Sequence, residues 1–293
     1  MRPGGLSVGI ALALLSALSY GVSDVLGGLA ARRLSPARVA LIGQVGGLCV
    51  TAVAVLLVPG ASPRMPDLAW GAASGIGTGL GMAFLFRGLS RGEMSVVVPL
   101  SAVGGVALPV LVGAAVLGER LPWPTWIGVV IALPALWLIS RAPGGSVPPS
   151  RASIADGLAA SGGIAVQYLC LAQTAAATAG LWPVLSGRVA AIATVLVASV
   201  TLVRGSATDR PAAGTPPGVL AMSVGAGALA AAALGAYLFS LRTEFVTVAV
   251  VLSSLYPVVP VVVGLVFLGE RLGRTQVLGL AAALGATVLI ATS

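Results

Sequence analysis

The chain has 293 residues, 58% apolar and 8% charged, with a mean hydropathy of +1.06 and a net charge of +8. Soluble domains carry about 25% charged residues, so the chain lacks the polar surface for a sizeable water-facing domain, and the composition predicts an all-α polytopic membrane protein. His, Lys and Asn are absent and all sixteen basic residues are Arg, which excludes the usual zinc, haem and Ser-His-Asp arrangements, a Walker-A loop and Schiff-base chemistry, and with them ATP-driven transport by this chain alone.

A membrane-crossing helix needs about 20 residues. Apolar runs punctuated by Arg, Pro and Gly predict five spans at 6–28, 36–58, 67–89, 94–117 and 123–140. Five more follow at 154–175, 181–203, 218–241, 245–268 and 275–291. The first run is longer than the 7–15 apolar residues, roughly, of a signal peptide. It ends in GGLAARR without a clean cleavage site, so it reads as a span. Ser16, Ser19, Tyr20, Ser23 and Asp24 recur along it three or four apart or adjacent, a polar stripe at helical period. Asp24 is the sharpest candidate. A carboxylate at the centre of a span costs about 2.5–3.5 kcal/mol on insertion scales and so faces a cavity or a partner. One reading has Asp24 bind a substrate amine or exchange a proton; the other has it reach headgroup water beside Gly27 and Gly28.

The second span opens near Arg38 and contains Gln44, a polar group that a solute at the centre would meet. In the third, Gly71, Gly75 and Gly79 form a small-residue face that predicts close helix packing. The stretch Arg141–Ser153, rich in Pro, Gly and Ser, reads as a flexible loop at the midpoint of the chain. Gln167 and Tyr168 are the polar groups of the sixth span, whose boundary with the seventh, around Ala176–Gly180, is the least sharply marked. Arg188 lies about a third of the way into the seventh span. Either it holds a carboxylate, of the substrate or of the protein, or it snorkels to the interface, and the second is the plainer expectation. A second loop, Arg204–Pro217, precedes the eighth span, where Gly227, Ala231 and Gly235 repeat the small-residue face; spans three and eight are expected to pack tightly. In the ninth, Ser253, Ser254 and Tyr256 lead into Pro257, which removes a backbone hydrogen bond and frees carbonyls toward a cavity. The plain alternative for Gln44, Gln167, Tyr168, Ser253 and Tyr256 is interhelical hydrogen bonding, worth only about 0.6 kcal/mol on average. Glu119–Arg120 and Glu270–Arg271 sit at span ends and read as structural. Cys49 and Cys170 lie in apolar runs, so no disulfide, metal or cofactor site is expected, and the scattered arginines form no stripe for nucleic acid.

The two halves are similar. LGERL occurs at Leu117–Leu121 and again at Leu268–Leu272, 151 residues on. The same shift brings Arg91 onto Arg242, Glu93 onto Glu244, Pro109 onto Pro260 and Gly113 onto Gly264. RVA recurs at Arg38–Ala40 and Arg188–Ala190, 150 apart, and Gly9 and Tyr20 match Gly157 and Tyr168 at 148. Ala172 stands where Asp24 would repeat, so the acid breaks the symmetry. The organisation is a first repeat at 1–141, a linker at 142–153 and a second repeat at 154–293. Each repeat has five spans, an odd number, so the second enters the membrane inverted: ten helices as two inverted five-helix repeats, an arrangement that places substrate near the midplane between them.

On these residues the chain resembles the drug/metabolite transporter superfamily, specifically its ten-span proteins with two EamA domains. The resemblance rests on Pro109 and Pro260 in spans running into Gly118–Arg120 and Gly269–Arg271, on Arg38 and Arg188, and on YGVSD at Tyr20–Asp24. It implies secondary active transport, export or uptake, of small metabolites such as amino acids or related solutes by alternating access, and export is the direction adopted. Protons are a candidate co-substrate and the lipid bilayer is the surrounding partner. Two other classes are a passive channel or structural membrane protein, and a membrane-embedded lipid-modifying enzyme; the first needs no inverted duplication and the second lacks a catalytic cluster. Ten spans put both termini on one side. Counting arginines places them outside, by the positive-inside rule, whereas the resemblance implies cytoplasmic termini, which is the reading adopted. The Ala-, Gly- and Arg-rich composition points to a GC-rich bacterial genome and its plasma (inner) membrane. Monomer and homodimer both stay open.

Overall fold

A computed structural model describes residues 7–31, 33–57, 62–90, 122–140, 151–175, 178–201, 215–256 and 274–292, with isolated positions between 101 and 118 and at 258–259. Among these residues the regular structure is helical. In chain order the helices are α1 (Val8–Ala31), α2 (Pro36–Leu57), α3 (Met65–Ser90), α4 (Trp123–Ser140) and α5 (Arg151–Ala172), then α6 (Trp182–Thr201), α7 (Pro217–Ser240), α8 (Val246–Ser253) and α9 (Arg274–Thr292). Proline opens several of them: Pro36 in α2 and Pro217 in α7 are first residues, and Pro183 is second in α6. A proline there loses only an N–H that the first turn leaves unpaired anyway.

The helix limits follow the expected spans closely, with two differences. Arg151–Ser153, expected in the linker, form the first turn of α5, because the helix-breaking Pro148–Pro149 pair ends just before them. The ninth span is a helix over Val246–Ser253, passes into a turn at Ser254–Tyr256 immediately before Pro257, and is helical again at Val258 and Val259. The residue before a proline is driven away from α geometry, which accounts for the break. The turn between α5 and α6 is closed by Gly180, at a φ of 55° that a residue with a Cβ adopts only at a cost. Most of the fourth expected span, of which only positions scattered between 101 and 116 are described, lies outside the described residues, as do most of the two polar loops and the second half of the ninth span. Among the described residues, five helices are long and apolar enough to cross a membrane: Val8–Ala30, Ala37–Leu57, Met65–Leu85, Trp182–Ser199 and Pro217–Ser240.

The helices pack mainly across the two halves of the chain. α3 packs on α5 and α6, α7 on α1 and α2, α2 also on α6, and α4 on α9. Exchanging the halves by the sequence offset turns the α3–α5 pair into α7–α1 and the α3–α6 pair into α7–α2, and returns α2–α6 and α4–α9 to themselves. Polarity can be read from the glycines. Along α3, Gly71 meets Pro183, Gly75 meets Gly187 and Gly79 meets Ala191 and Thr194, so α3 and α6 run parallel. Gly77 meets Gln167 and Gly81 meets Ala160, so α3 and α5 run antiparallel. By the same reading Gly43 against Ser223 and Gly47 against Ala231 make α2 and α7 parallel. Spans three and eight therefore do pack tightly, each against helices of the opposite half.

These contacts are close because they are glycine to backbone. A Cβ on Gly75 would run into the carbonyl oxygen of Gly187, and one on Gly227 into that of Gly43. The outer surface is apolar, with Leu15, Leu18, Val53, Leu56, Trp126, Val130, Val197 and Leu284 exposed, whereas Ser16, Gln44, Ser74, Gln167 and Arg188 are buried. Polar groups inside and apolar groups outside are what a hydrocarbon solvent dictates.

Candidate functional site

Two polar chains cross the centre of the bundle, each joining the two halves. In the first, Gln167 of α5 donates from Nε2 to the Tyr20 hydroxyl of α1 at 2.9 Å, while its Oε1 accepts from the Thr78 hydroxyl of α3 at 2.7 Å. The Ser74 hydroxyl donates to the Gln167 carbonyl at 2.8 Å and so fixes the same turn of α5. In the second, Arg188 of α6 donates from Nη1 to Gln44 Oε1 of α2 at 2.9 Å, and Gln44 Nε2 donates to Met82 Sδ of α3, also at 2.9 Å. Arg188 is 2% exposed and Gln44 3%. Snorkelling, the plainer expectation for Arg188, is thereby overturned: the glycine contacts of α3 and α6 enclose its side chain from the turn at Gly187 onward.

All four tyrosines of the chain converge here. The rings of Tyr20 and Tyr256 lie 6.1 Å apart, and those of Tyr168 and Tyr237 4.7 Å apart edge to face. Tyr237 donates its hydroxyl to the Tyr168 carbonyl at 3.1 Å. Tyr168 is within electrostatic reach of the other three phenols. The Tyr20 phenol feels both the Arg188 guanidinium and the Asp24 carboxylate, and Tyr256 also feels Asp24. Asp24 itself is exposed, one turn beyond Tyr20 on the same face of α1 and about 10 Å before the end of that helix at 1.5 Å per residue.

Among the nine expected path residues, the structure thus brings together Tyr20, Asp24, Gln44, Gln167, Tyr168, Arg188 and Tyr256. Ser23 and Ser253 are placed otherwise. The Ser23 hydroxyl is spent on the Ala226 carbonyl of α7 at 2.8 Å, and the Ser253 hydroxyl on the Ala13 carbonyl of α1 at 3.4 Å. Both sew helices together. Thr78, Ser74, Met82 and Tyr237 belong to the centre and are not among the nine. Thr78 and Ser74 lie among the glycines of span three, which read as packing alone. Tyr237 was legible in one respect, since the chain has only four tyrosines and each falls within a span.

The family described as EamA-like transporter family matches residues 7–141, which hold Tyr20, Asp24, Gln44, Ser74, Thr78 and Met82. The fold of a solved crystal structure, titled only as that of a protein, extends over 97% of this chain and 96% of that one at 17% identity and a TM-score of 0.73. At that identity the likeness is one of fold, and it takes in the second half as well as the EamA-like first. No curated protein matches the chain. The match to a transporter family covers the first half of the chain, and the apolar helices of both halves are those of a multi-pass membrane protein.

Proposed function

We propose that the protein is a secondary active transporter exporting small metabolites, amino acids or related solutes, across the bacterial plasma membrane by alternating access. Its ten spans form two inverted five-span repeats with both termini in the cytoplasm. The observation that carries the reading is the polar centre assembled from both halves, Tyr20 on Gln167 and Gln44 on Arg188. A site shared between two pseudo-equivalent halves opens to one side or the other as the halves move against each other. The exchange-symmetric packing and the helix polarities support the inverted duplication, and the likeness of fold over nearly the whole chain supports treating both halves as one transporter. Asp24 supplies the asymmetric group: accessible, acidic and without a repeat-mate, it takes the solute's amine or a proton on each cycle. Counterflow in proteoliposomes against amino acids, nucleosides and sugars tests the reading. Saturable exchange of one solute class is expected, and unsaturable flux of all of them would replace the transporter by a channel.

A further inference from the structure

We infer that the site selects solutes bearing a carboxylate, held side-on by the Nε and Nη2 edge of the Arg188 guanidinium. Of the three guanidinium nitrogens, Nη1 is used by Gln44, whereas Nε and Nη2 are fully buried without a hydrogen-bond partner. Those two atoms are not an arbitrary pair. Their N–H bonds run parallel along one edge of the planar group, at the spacing of the two oxygens of a carboxylate. Gln44 is held in turn by Met82, so the fork points in a fixed direction. A buried guanidinium with an open edge is costly unless an anion comes to it. Among the described residues, the group that acts on it electrostatically is the Tyr20 phenol, which is neutral at physiological pH.

The charge balance chooses between oxyanions. One guanidinium neutralises one carboxylate, while a phosphate monoester carries about −1.5 to −2 charges and would leave an excess. A space of about 10 Å³ bordered by Ser74, Gly75, Thr78 and Gly187 lies against Arg188, room for roughly one water. Entry of a carboxylate therefore goes with separation of α3 from α6 along their glycine contact. This inference rests on the transport reading only for the steps after binding, and binding can be measured without transport.

The test is ligand-induced thermal shift and equilibrium binding on the purified full chain. The probes are L-leucine, L-phenylalanine, L-threonine and L-glutamine, set against leucinamide, phenylalaninamide, phenethylamine and phenyl phosphate. At least one carboxylate is expected to bind where its amide or amine does not, and Arg188→Lys, which keeps the charge and loses the fork, is expected to weaken it about tenfold or more. Gln44→Glu places a carboxylate of the protein on the guanidinium and is expected to weaken it too, which carries the test should Arg188→Lys fail to fold. Equal binding of amides, binding of phenyl phosphate alone, wild-type affinity in the variants, or no carboxylate bound up to the order of 10 mM would each overturn the inference. Carboxylate binding without any counterflow would uphold the fork and remove the transport reading. Counterflow of an uncharged solute unaffected by Arg188→Lys would do the reverse.

Discussion

Tyr20 is within electrostatic reach of both Arg188 and Asp24, and its hydroxyl accepts from Gln167. That placement makes Asp24 the residue whose loss changes mechanism more than stability, since among the described residues no hydrogen bond or ion pair depends on it. Asp24→Asn is expected to fold normally and to lose the response of exchange to an imposed pH gradient. An Asp24 that only solvates a helix end would leave both the rate and the pH response unchanged, as radiolabel exchange at several pH values would show. Gln167→Ala is a contrasting case. It strips partners from Tyr20 and Thr78 together, two interhelical bonds of about 0.6 kcal/mol each on average, so a fall in melting temperature with the unfolded reference unchanged is expected; an unshifted melting curve would mean that the network carries no stability. The sequence made the intramembrane polar residues conspicuous because each sits alone in an apolar run. It could not say which were spent on neighbouring carbonyls, as Ser23 and Ser253 are, since that depends on which helix lies opposite.

At the scale of helices, glycine sets the spacing. Gly75 of α3 and Gly227 of α7 face backbone carbonyls of the opposite half, whereas Gly218 and Gly285 have, among the described residues, nothing within 4 Å of the place a Cβ would occupy. Gly75→Ala and Gly227→Ala should each destabilise by about 1–3 kcal/mol through overpacking, and Gly285→Ala should be neutral or stabilising by up to about 1 kcal/mol through helix propensity. Unfolding in graded denaturant distinguishes the two groups, and equal stabilities would show that the helices are not in backbone contact. The small-residue faces were readable from their period of four, but their partners were not. Spacing reveals that a face is flat; which helix covers it follows from topology, and here each face is covered by helices encoded more than 80 residues away.

Across the whole molecule, packing along α1 is uneven. Gly9 is pressed against Thr243 and Glu244, Gly21 against Val259 and the Tyr256 carbonyl, while Gly28 has open space around it and Asp24 is exposed. Ser7 at the start of α1 hydrogen-bonds Glu244 in the turn between α7 and α8. The N-terminal end of α1 is thus held against the turn between α7 and α8, while its C-terminal end packs through Ala30 on Val39 and Val219; in the alternating-access cycle we propose, the first of these contacts has to open. With Cys49 and Cys170 replaced, a disulfide between Ser7→Cys and Glu244→Cys is expected to arrest exchange, and reductant to restore it. Undiminished exchange in the crosslinked protein would show that this end never opens. The duplication that makes such a cycle intelligible was visible in LGERL and RVA alone, because a repeated motif survives where pairwise packing leaves no trace in composition.

The central claim is that a polar centre shared by two halves carries a solute across the membrane, and counterflow in proteoliposomes with and without a pH gradient, comparing the wild type with Asp24→Asn, tests it most directly. The account predicts saturable exchange of one solute class, accelerated by the gradient in the wild type and indifferent to it in the variant. Flux that neither saturates nor distinguishes solutes, equal in both proteins, would contradict it.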